Sequence, residues 1–429
     1  MSSNSYINFL SDSRKRLNKV SPSFCIAKWL HATIYLHRGA THSCHHPTPH
    51  GIPQEGLAVN PARLHNTLTK LQERQEMLLG NQPQQCNYCW VVENAKAENI
   101  FSDRITKSSN DWALPFLDEV KASGLGDSIV PRYLEVSFSK VCQMQCLYCN
   151  PLNSSKWEAD VKQNGDYPST TYTSLLKEFQ EAEVSSSVYI NAFWDWWPIL
   201  SKNLKVFRIT GGEPLLSNET WNFLDKISLV GLPDMDIILN SNLSLSESTI
   251  DRLSLRIQSL LEQNLVKSFT VVTSLEAVGK KAEFIRYGLD FDLFMRNLLK
   301  LCNCHPKVKL SITSTLQVFS VHSYSEYLGY ICNFRTMNKL ENLQIDPSFL
   351  RNPKHFSLLG ATAELADRFS KTVLSFLNQK SNLLSDFEKS RLETMLVAFS
   401  SRSSEEVIFK NKVNFYRFVS QIEERKKIS

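Results

Sequence analysis

Three cysteines stand close together in the run Cys142-Gln-Met-Gln-Cys146-Leu-Tyr-Cys149. Thiolates at this spacing on one loop can hold three irons of a cubane and leave the fourth without a protein ligand. An iron left open in this way can bind a substrate or cofactor, whereas a cluster ligated by four cysteines is usually confined to electron transfer. Zinc and three unrelated thiols are the other readings. Zinc commonly takes four ligands in CxxC pairs, and the nearest further candidate here is Asn150. The spacing favours iron–sulfur chemistry over zinc.

Four more thiols lie upstream: Cys25, Cys44 and the CxxC pair Cys86-Asn87-Tyr88-Cys89. Together they can close a tetrahedral zinc or a fully ligated cubane. His42, His45, His46 and His50 crowd around Cys44, where they can ligate metal, hold an anionic substrate, or sit in solvent as spectators. Cys302, Cys304 and Cys332 read as small buried hydrophobes.

The elements that must position these groups change character along the chain. Residues 1–115 are rich in His, Pro, Gln and Asn, with one clear helix expected over Pro61–Leu79 and stopped at Gly80. So polar a segment has a thin core, which a metal staple would help to fold. From Tyr133 short β-rich runs alternate with helical patterns. Strands are expected at Leu134–Phe138, immediately before the triplet, and at Lys205–Thr210, Met235–Asn240, Ser268–Ser274, Lys307–Thr313 and Leu343–Asp346. Helices are expected near Tyr172–Glu183, Glu219–Leu229, Ser246–Gln263, Lys281–Cys302 and Ser323–Phe334. Repeated strand–helix units imply a parallel sheet, and six of them suit a partial barrel. The expected fold is therefore α/β: a partial (β/α)6 TIM-like barrel over 130–350, a cysteine-rich module over 1–115, and a helical extension over 351–429 ending in the charged tail Glu423–Ser429. Parallel α/β barrels build their sites at strand C-termini, which is where the triplet falls.

Composition constrains the partners. Hydrophobic residues make up 42% of the 429, enough for a sizeable core, and the net charge of +5 is too small to point to nucleic acid. The stretch Met1–Val20 has no continuous apolar run, and no window approaches roughly 18 uncharged apolar residues, so a cytoplasmic protein without a membrane span is expected.

The C-x3-C-x2-C run, with the aromatic Tyr148 before its last cysteine, resembles the signature of the radical S-adenosylmethionine superfamily. The resemblance implies a [4Fe–4S] cluster whose open iron chelates S-adenosylmethionine. It also implies reductive cleavage of that cofactor to a 5′-deoxyadenosyl radical, which abstracts hydrogen from a substrate. An external electron donor of flavodoxin or ferredoxin type and a small-molecule, glycan-precursor or peptide substrate come with it. The run Gly211-Gly212-Glu213-Pro214 after the second strand resembles the family's GGE motif, whose backbone lies against the cofactor's methionine amino group. Read by itself, it is a strand-to-helix turn in which two glycines permit close backbone approach. Asn242, Ser274 and Arg286 are similar to family positions near the ribose and carboxylate. Gln317 ends the fifth strand where many relatives carry Asn. The N-terminal cysteines, with Arg74–Gly80 before the CxxC, resemble the auxiliary-cluster modules called twitch or SPASM domains, implying a second [4Fe–4S] cluster with zinc as the alternative. Those modules usually follow the barrel, and here the cysteines precede it. A non-catalytic iron–sulfur electron-transfer or metal-binding protein on the same barrel is the reading from a different class. The block Phe193-Trp194-Asp195-Trp196-Trp197 is expected to pack rather than to wall the site.

Overall fold

The computed structural model describes residues 3–95, 100–126, 128–168, 170–178, 186–399 and 403–426. The chain is α/β, with a large parallel sheet and many helices. Its strands are β1 His31–Tyr35, β2 Ala40–His42, β3 His50–Gly51, β4 Tyr133–Ser137, β5 Gln145–Cys146, β6 Val206–Thr210, β7 Leu232–Asn240, β8 Val266–Ser274, β9 Arg286–Tyr287, β10 Val308–Leu316 and β11 Leu343–Phe349. All six strands expected from the sequence form, as β4, β6, β7, β8, β10 and β11.

Contacts divide the chain into two compact units. The first comprises Met1–Ser139, Phe179–Gly211 and Leu232–Ile237, and the second Lys140–Glu178, Gly212–Gly231 and Ile238–Ser429. In the first, the strand order is β6-β4-β1-β2-β3. β1 and β6 flank β4 in parallel, and β2 turns back antiparallel on β1 through Gly39, whose φ is +58°. The N-terminal strands were not expected. His31-Ala-Thr-Ile-Tyr35 alternates over only five residues, and a half-polar run this short carries little periodic signal. The helix expected over Pro61–Leu79 is interrupted: a 3-10 turn at Pro61–Leu64 ends before an α-helix at Leu68–Leu78. Asn60 caps the first by accepting from Ala62 N at 3.1 Å, and Thr67 caps the second by accepting from Lys70 N at 3.4 Å. Gly80 follows with φ +83°, as its role as a helix stop requires. Phe193 and Trp196 are buried on the helix Ser186–Asn203, and Phe193 meets Phe138 edge-on at 5.3 Å, so the aromatic block packs as expected.

In the second unit, β8, β10 and β11 pair in parallel. The helix Phe291–Cys304 shows why such elements form. Phe291, Phe294, Met295, Leu298 and Leu301 recur on one face and are buried, and Asp290 caps the helix by accepting from Leu293 N at 2.8 Å. Each large apolar side chain buried this way is worth about 1.5–3 kcal/mol. The expected helix from Lys281 is split into Lys280–Ile285, β9 and Phe291–Cys304, because Gly288 (φ +97°) turns the chain. The helix near Tyr172 runs to Glu178; the remainder of its expected span lies outside the described residues. Three C-terminal helices follow, Ala363–Lys380, Asp386–Ala398 and Glu405–Lys426, the last absorbing most of the tail expected from Glu423. No described helix is long and apolar enough to cross a membrane.

Candidate functional site

The cysteine triplet lies in the second unit on a loop held from several directions. Cys142 N donates to Ser155 Oγ at 3.1 Å, Ser154 Oγ donates to the Met144 carbonyl at 2.8 Å, and Trp157 Nε1 donates to the Cys146 carbonyl at 2.8 Å. Leu147 N donates to the Ile285 carbonyl at 2.9 Å, and Cys146 pairs with Arg286 across the short β5–β9 ladder. All three thiols are free and partly exposed. Burial pushes Cys142 and Cys149 up to about 12, and the neighbouring cysteines of the triplet push further in the same direction. Three thiols close enough to repel one another as anions, and reluctant to ionise alone, fit a metal that takes the place of their protons.

Gly212 explains the glycine motif. A Cβ at this position would stand 2.4 Å from the Val141 carbonyl oxygen and 2.5 Å from that of Lys140, the residues leading into Cys142. Glu213 N then donates to the Val141 carbonyl at 2.7 Å. The Glu213 carboxylate is buried at 1% exposure and accepts from Asn242 N at 2.7 Å and Leu215 N at 3.1 Å. Burial raises it to about 7 in spite of these donors. Asn242 in turn exchanges amide hydrogen bonds with Gln143, at 3.0 and 3.2 Å, and turns its Nδ2 toward the Cys142 sulfur at 4.0 Å. Pro214 opens the 3-10 turn that follows. Gly211 belongs to the first unit, where its φ of +131° and a Cβ position 2.4 Å from the Ser139 carbonyl oxygen exclude any side chain.

Arg286 is not early in a helix, as the sequence suggested, but on β9. Its guanidinium is buried and committed: Nη2 and Nε donate to Glu276 Oε2 at 2.8 and 3.0 Å, Nη2 also bonds Tyr148 Oη, and Nη1 points at the Cys146 sulfur at 4.0 Å. Tyr148 Oη donates to Glu276 Oε1 at 3.1 Å, closing a triad of two charges and a phenol beside the cysteine loop. Although burial opposes its charge, the Glu276 carboxylate holds Arg286 firmly as a cation. Glu276 and Gln143 were not singled out from sequence. The carboxylate two residues past the end of β8 was the available signal, and Ser274, half-buried and opposite Thr313, drew attention instead. Gln317, at the end of β10, is fully buried and donates through its backbone to Ser320 Oγ at 3.2 Å.

In the first unit the N-terminal thiols converge. Cys25 is raised chiefly by burial and next by Cys44, Cys86 by burial with a contribution from Cys25, and Cys89 by burial with contributions from Cys25 and Cys44. Cations stand among them. Lys107 Nζ lies 3.0 Å from the Cys44 sulfur, and Lys28, fully buried, is bound to Glu73 at 2.7 Å. Thiols gathered in this way with cations beside them suit an anionic cluster. Cys44, His46 and Asp103 also bring their ligand atoms within 4.8 Å of one another, the sole such group of His, Cys, Asp and Glu among the described residues. Lys107, 3.7 Å from Asp103, already supplies positive charge there. His46 bonds Asp103 at 2.5 Å and stacks on Tyr88, and His50 bonds Thr67 Oγ1 at 2.8 Å, so both have structural partners.

Sequence reading also missed a polar row across four strands. Register aligns His42 with Thr33, Thr33 with Glu135, and Glu135 with Arg208, so their side chains share a face. Glu135 Oε2 lies 3.7 Å from His45 Nδ1 and 3.8 Å from Arg208 Nε and has no hydrogen bond. Both ring nitrogens of buried His31 and Thr33 Oγ1 are also without partners. Burial drives His42 down to about 3, so it is a neutral imidazole.

No protein-family model matches the chain. Two relatives do. A GTP 3′,8-cyclase of Campylobacter lari is 32% identical over 113 residues, and one of Sulfurimonas denitrificans is 29% identical over 124. Both are radical S-adenosylmethionine enzymes. These matches support the radical S-adenosylmethionine superfamily. They are partial: they take in 26% and 29% of this chain, which spans 28% and 31% of the two relatives' own lengths. Radical S-adenosylmethionine homologues use a [4Fe–4S] cluster and S-adenosylmethionine. Structures of Streptococcus suis SuiB, one of them bound to S-adenosylmethionine, align over 83% of this chain and 70% of theirs. Their identities of 14% and 16% and TM-scores of 0.35 and 0.37 are too low to carry an argument about the site.

Proposed function

We propose that this chain reductively cleaves S-adenosylmethionine at a [4Fe–4S] cluster held by Cys142, Cys146 and Cys149, generating a 5′-deoxyadenosyl radical for hydrogen abstraction. The observation that carries the reading is the junction of the two motifs: Gly212 and Glu213 lie against Lys140–Val141, and Glu213 reaches Asn242, which faces Cys142. An electron carrier has no need of a buried carboxylate set behind its cluster loop. When bound, the cluster would pass one electron, taken from an external flavodoxin- or ferredoxin-type donor, into the sulfonium and release methionine with the radical.

The chain's own residues supply position. The backbone of the Gly212–Pro214 turn meets the cofactor's ammonium, and the buried Glu213 carboxylate behind it favours that positive charge. Asn242 and Ser274 offer hydrogen bonds to its ribose or carboxylate. Arg286 acts through Tyr148 and Glu276, fixing the loop beside Cys146. Cys25, Cys44, Cys86 and Cys89 hold a second [4Fe–4S] cluster within the module at 1–115, ahead of the barrel at 130–350 and the extension at 351–429. The substrate is a small molecule or peptide.

Anaerobic reconstitution with iron and sulfide, then dithionite and S-adenosylmethionine, should yield 5′-deoxyadenosine. Its absence from fully loaded protein would overturn the reading. Iron counts in Cys142→Ala and Cys86→Ala should each fall by about one cluster's worth; an unchanged count in Cys86→Ala would leave zinc or no metal at the N-terminal thiols.

A further inference from the structure

The C-terminal extension has no part in the chemistry described so far, yet it reaches the cysteine loop. Phe418 and Ile422 of the last helix share an apolar cluster with Leu147, Trp157 and Phe356, and Tyr148 and Cys149 pack against it. Beside that cluster, wholly within the second unit, lies a cavity of about 580 Å³. Its wall comes from Tyr148 and Cys149 of the loop, Tyr172, Lys354 and His355 after β11, and Lys410 on the last helix. The size suits a small organic ligand.

The chemistry of the wall is one-sided. Two lysines, a histidine and several asparagines line it, with no Asp or Glu. Neither Lys354 nor Lys410 has a carboxylate partner among the described residues. His355 is 7% exposed, its ring set between Phe356 at 4.3 Å and Phe418 at 5.4 Å, and its Nε2 has no hydrogen-bond partner. His355 lines this cavity and a second one beside His322 and Arg368, and leaving its buried nitrogen unpaired is costly unless a bound group meets it. Tyr172 and Leu175 supply an aromatic and aliphatic wall.

We propose that this cavity binds an anionic small molecule carrying a phosphate or carboxylate group. The anion lies between Lys354 and Lys410, the His355 imidazole gives one further hydrogen bond, and the remainder of the ligand rests on Tyr172. The occupant would then touch the loop that carries Cys149. The C-terminal extension thereby acquires a role as one wall of a ligand site.

Titration calorimetry on the full, cluster-loaded chain tests this with inorganic pyrophosphate and with citrate, which separate phosphate from carboxylate recognition. At least one should bind saturably, and the double variant Lys354→Gln/Lys410→Gln should weaken it by about tenfold or more, since two charge-assisted contacts are lost. Lys371→Gln, an exposed lysine on the helix Ala363–Lys380, should bind as wild type. His355→Gln should weaken binding less than the double variant. Neither anion binding below about 10 mM, or equal binding by wild type and double variant, overturns the proposal. The result is separable from the radical reading: binding with no 5′-deoxyadenosine formed sinks the latter alone.

Discussion

Adding one methyl group at Gly212 should be enough to disturb the cysteine loop. The backbone at Gly212 lies outside the left-handed region, so alanine is conformationally acceptable and, acting through the unfolded chain, should stabilise by about 0.4–1 kcal/mol. Against this, the new Cβ would meet the Val141 carbonyl oxygen at 2.4 Å, the Lys140 oxygen at 2.5 Å and the Lys140 carbonyl carbon at 2.6 Å. Favourable contact needs about 3.5–4.0 Å, and all three are backbone atoms that cannot rotate away. Overpacking of this kind costs about 1–3 kcal/mol, so the net expectation for Gly212→Ala is a loss of about 1–2 kcal/mol. The loss is delivered to the two residues that precede Cys142. Denaturant unfolding of the metal-free protein, with iron content and the cluster's electron paramagnetic resonance after reconstitution, reads both effects. Gly51→Ala is the control, because its Cβ would meet nothing within 4 Å and its φ is ordinary. If Gly212→Ala unfolds and loads iron as Gly51→Ala does, the close approach of Gly212 to the loop is not what the glycine is for.

Glu213 should couple cofactor binding to pH. With its carboxyl raised to about 7 by burial, the ionised fraction climbs about tenfold from pH 6 to pH 8, and S-adenosylmethionine should bind about tenfold tighter at the higher pH. Equilibrium binding to the loaded protein checks this, and Glu213→Gln should flatten the profile. The same shift has a stability sign. The folded state holds this proton more tightly than the unfolded one, so the contribution is fully present below about pH 4.5 and is lost as pH rises through 7. Glu276→Gln should destabilise the metal-free protein by about 3–5 kcal/mol, because it leaves the Arg286 guanidinium buried without its counter-charge. A midpoint within experimental error of wild type would show that the ion pair is not what holds β9 against the loop.

The parts of the fold that sequence made plain were those with a long or repeated signal. β8 and β10, nine residues each, alternate buried and less buried positions, and Phe291–Cys304 carries an unbroken apolar stripe. Spacing alone drew attention to Cys142, Cys146 and Cys149, because residues that share one loop are neighbours in sequence. What escaped was built by register. Thr33, Glu135 and Arg208 come from three strands spread over 176 positions, and nothing local marks them as one row. The break at His65–Thr67 was missed for a different reason. The hydrophobic pattern continues through it, and the local mark of the break is Thr67, which accepts from Lys70 N and so begins a new helix at Leu68. Arg286 was noticed but misplaced, since a two-residue ladder paired with Cys146 has no pattern that a single sequence could display.

The anchoring of the cysteine loop separates two events that many small metalloproteins combine. Ser154, Ser155, Trp157 and Ile285 hold the backbone from Cys142 to Leu147 through contacts that involve no thiol sulfur. The entropy of ordering that loop is therefore met when the chain folds, not when iron arrives. On the proposed reading, oxidative loss of iron should leave the socket standing, and refilling should need no unfolded state.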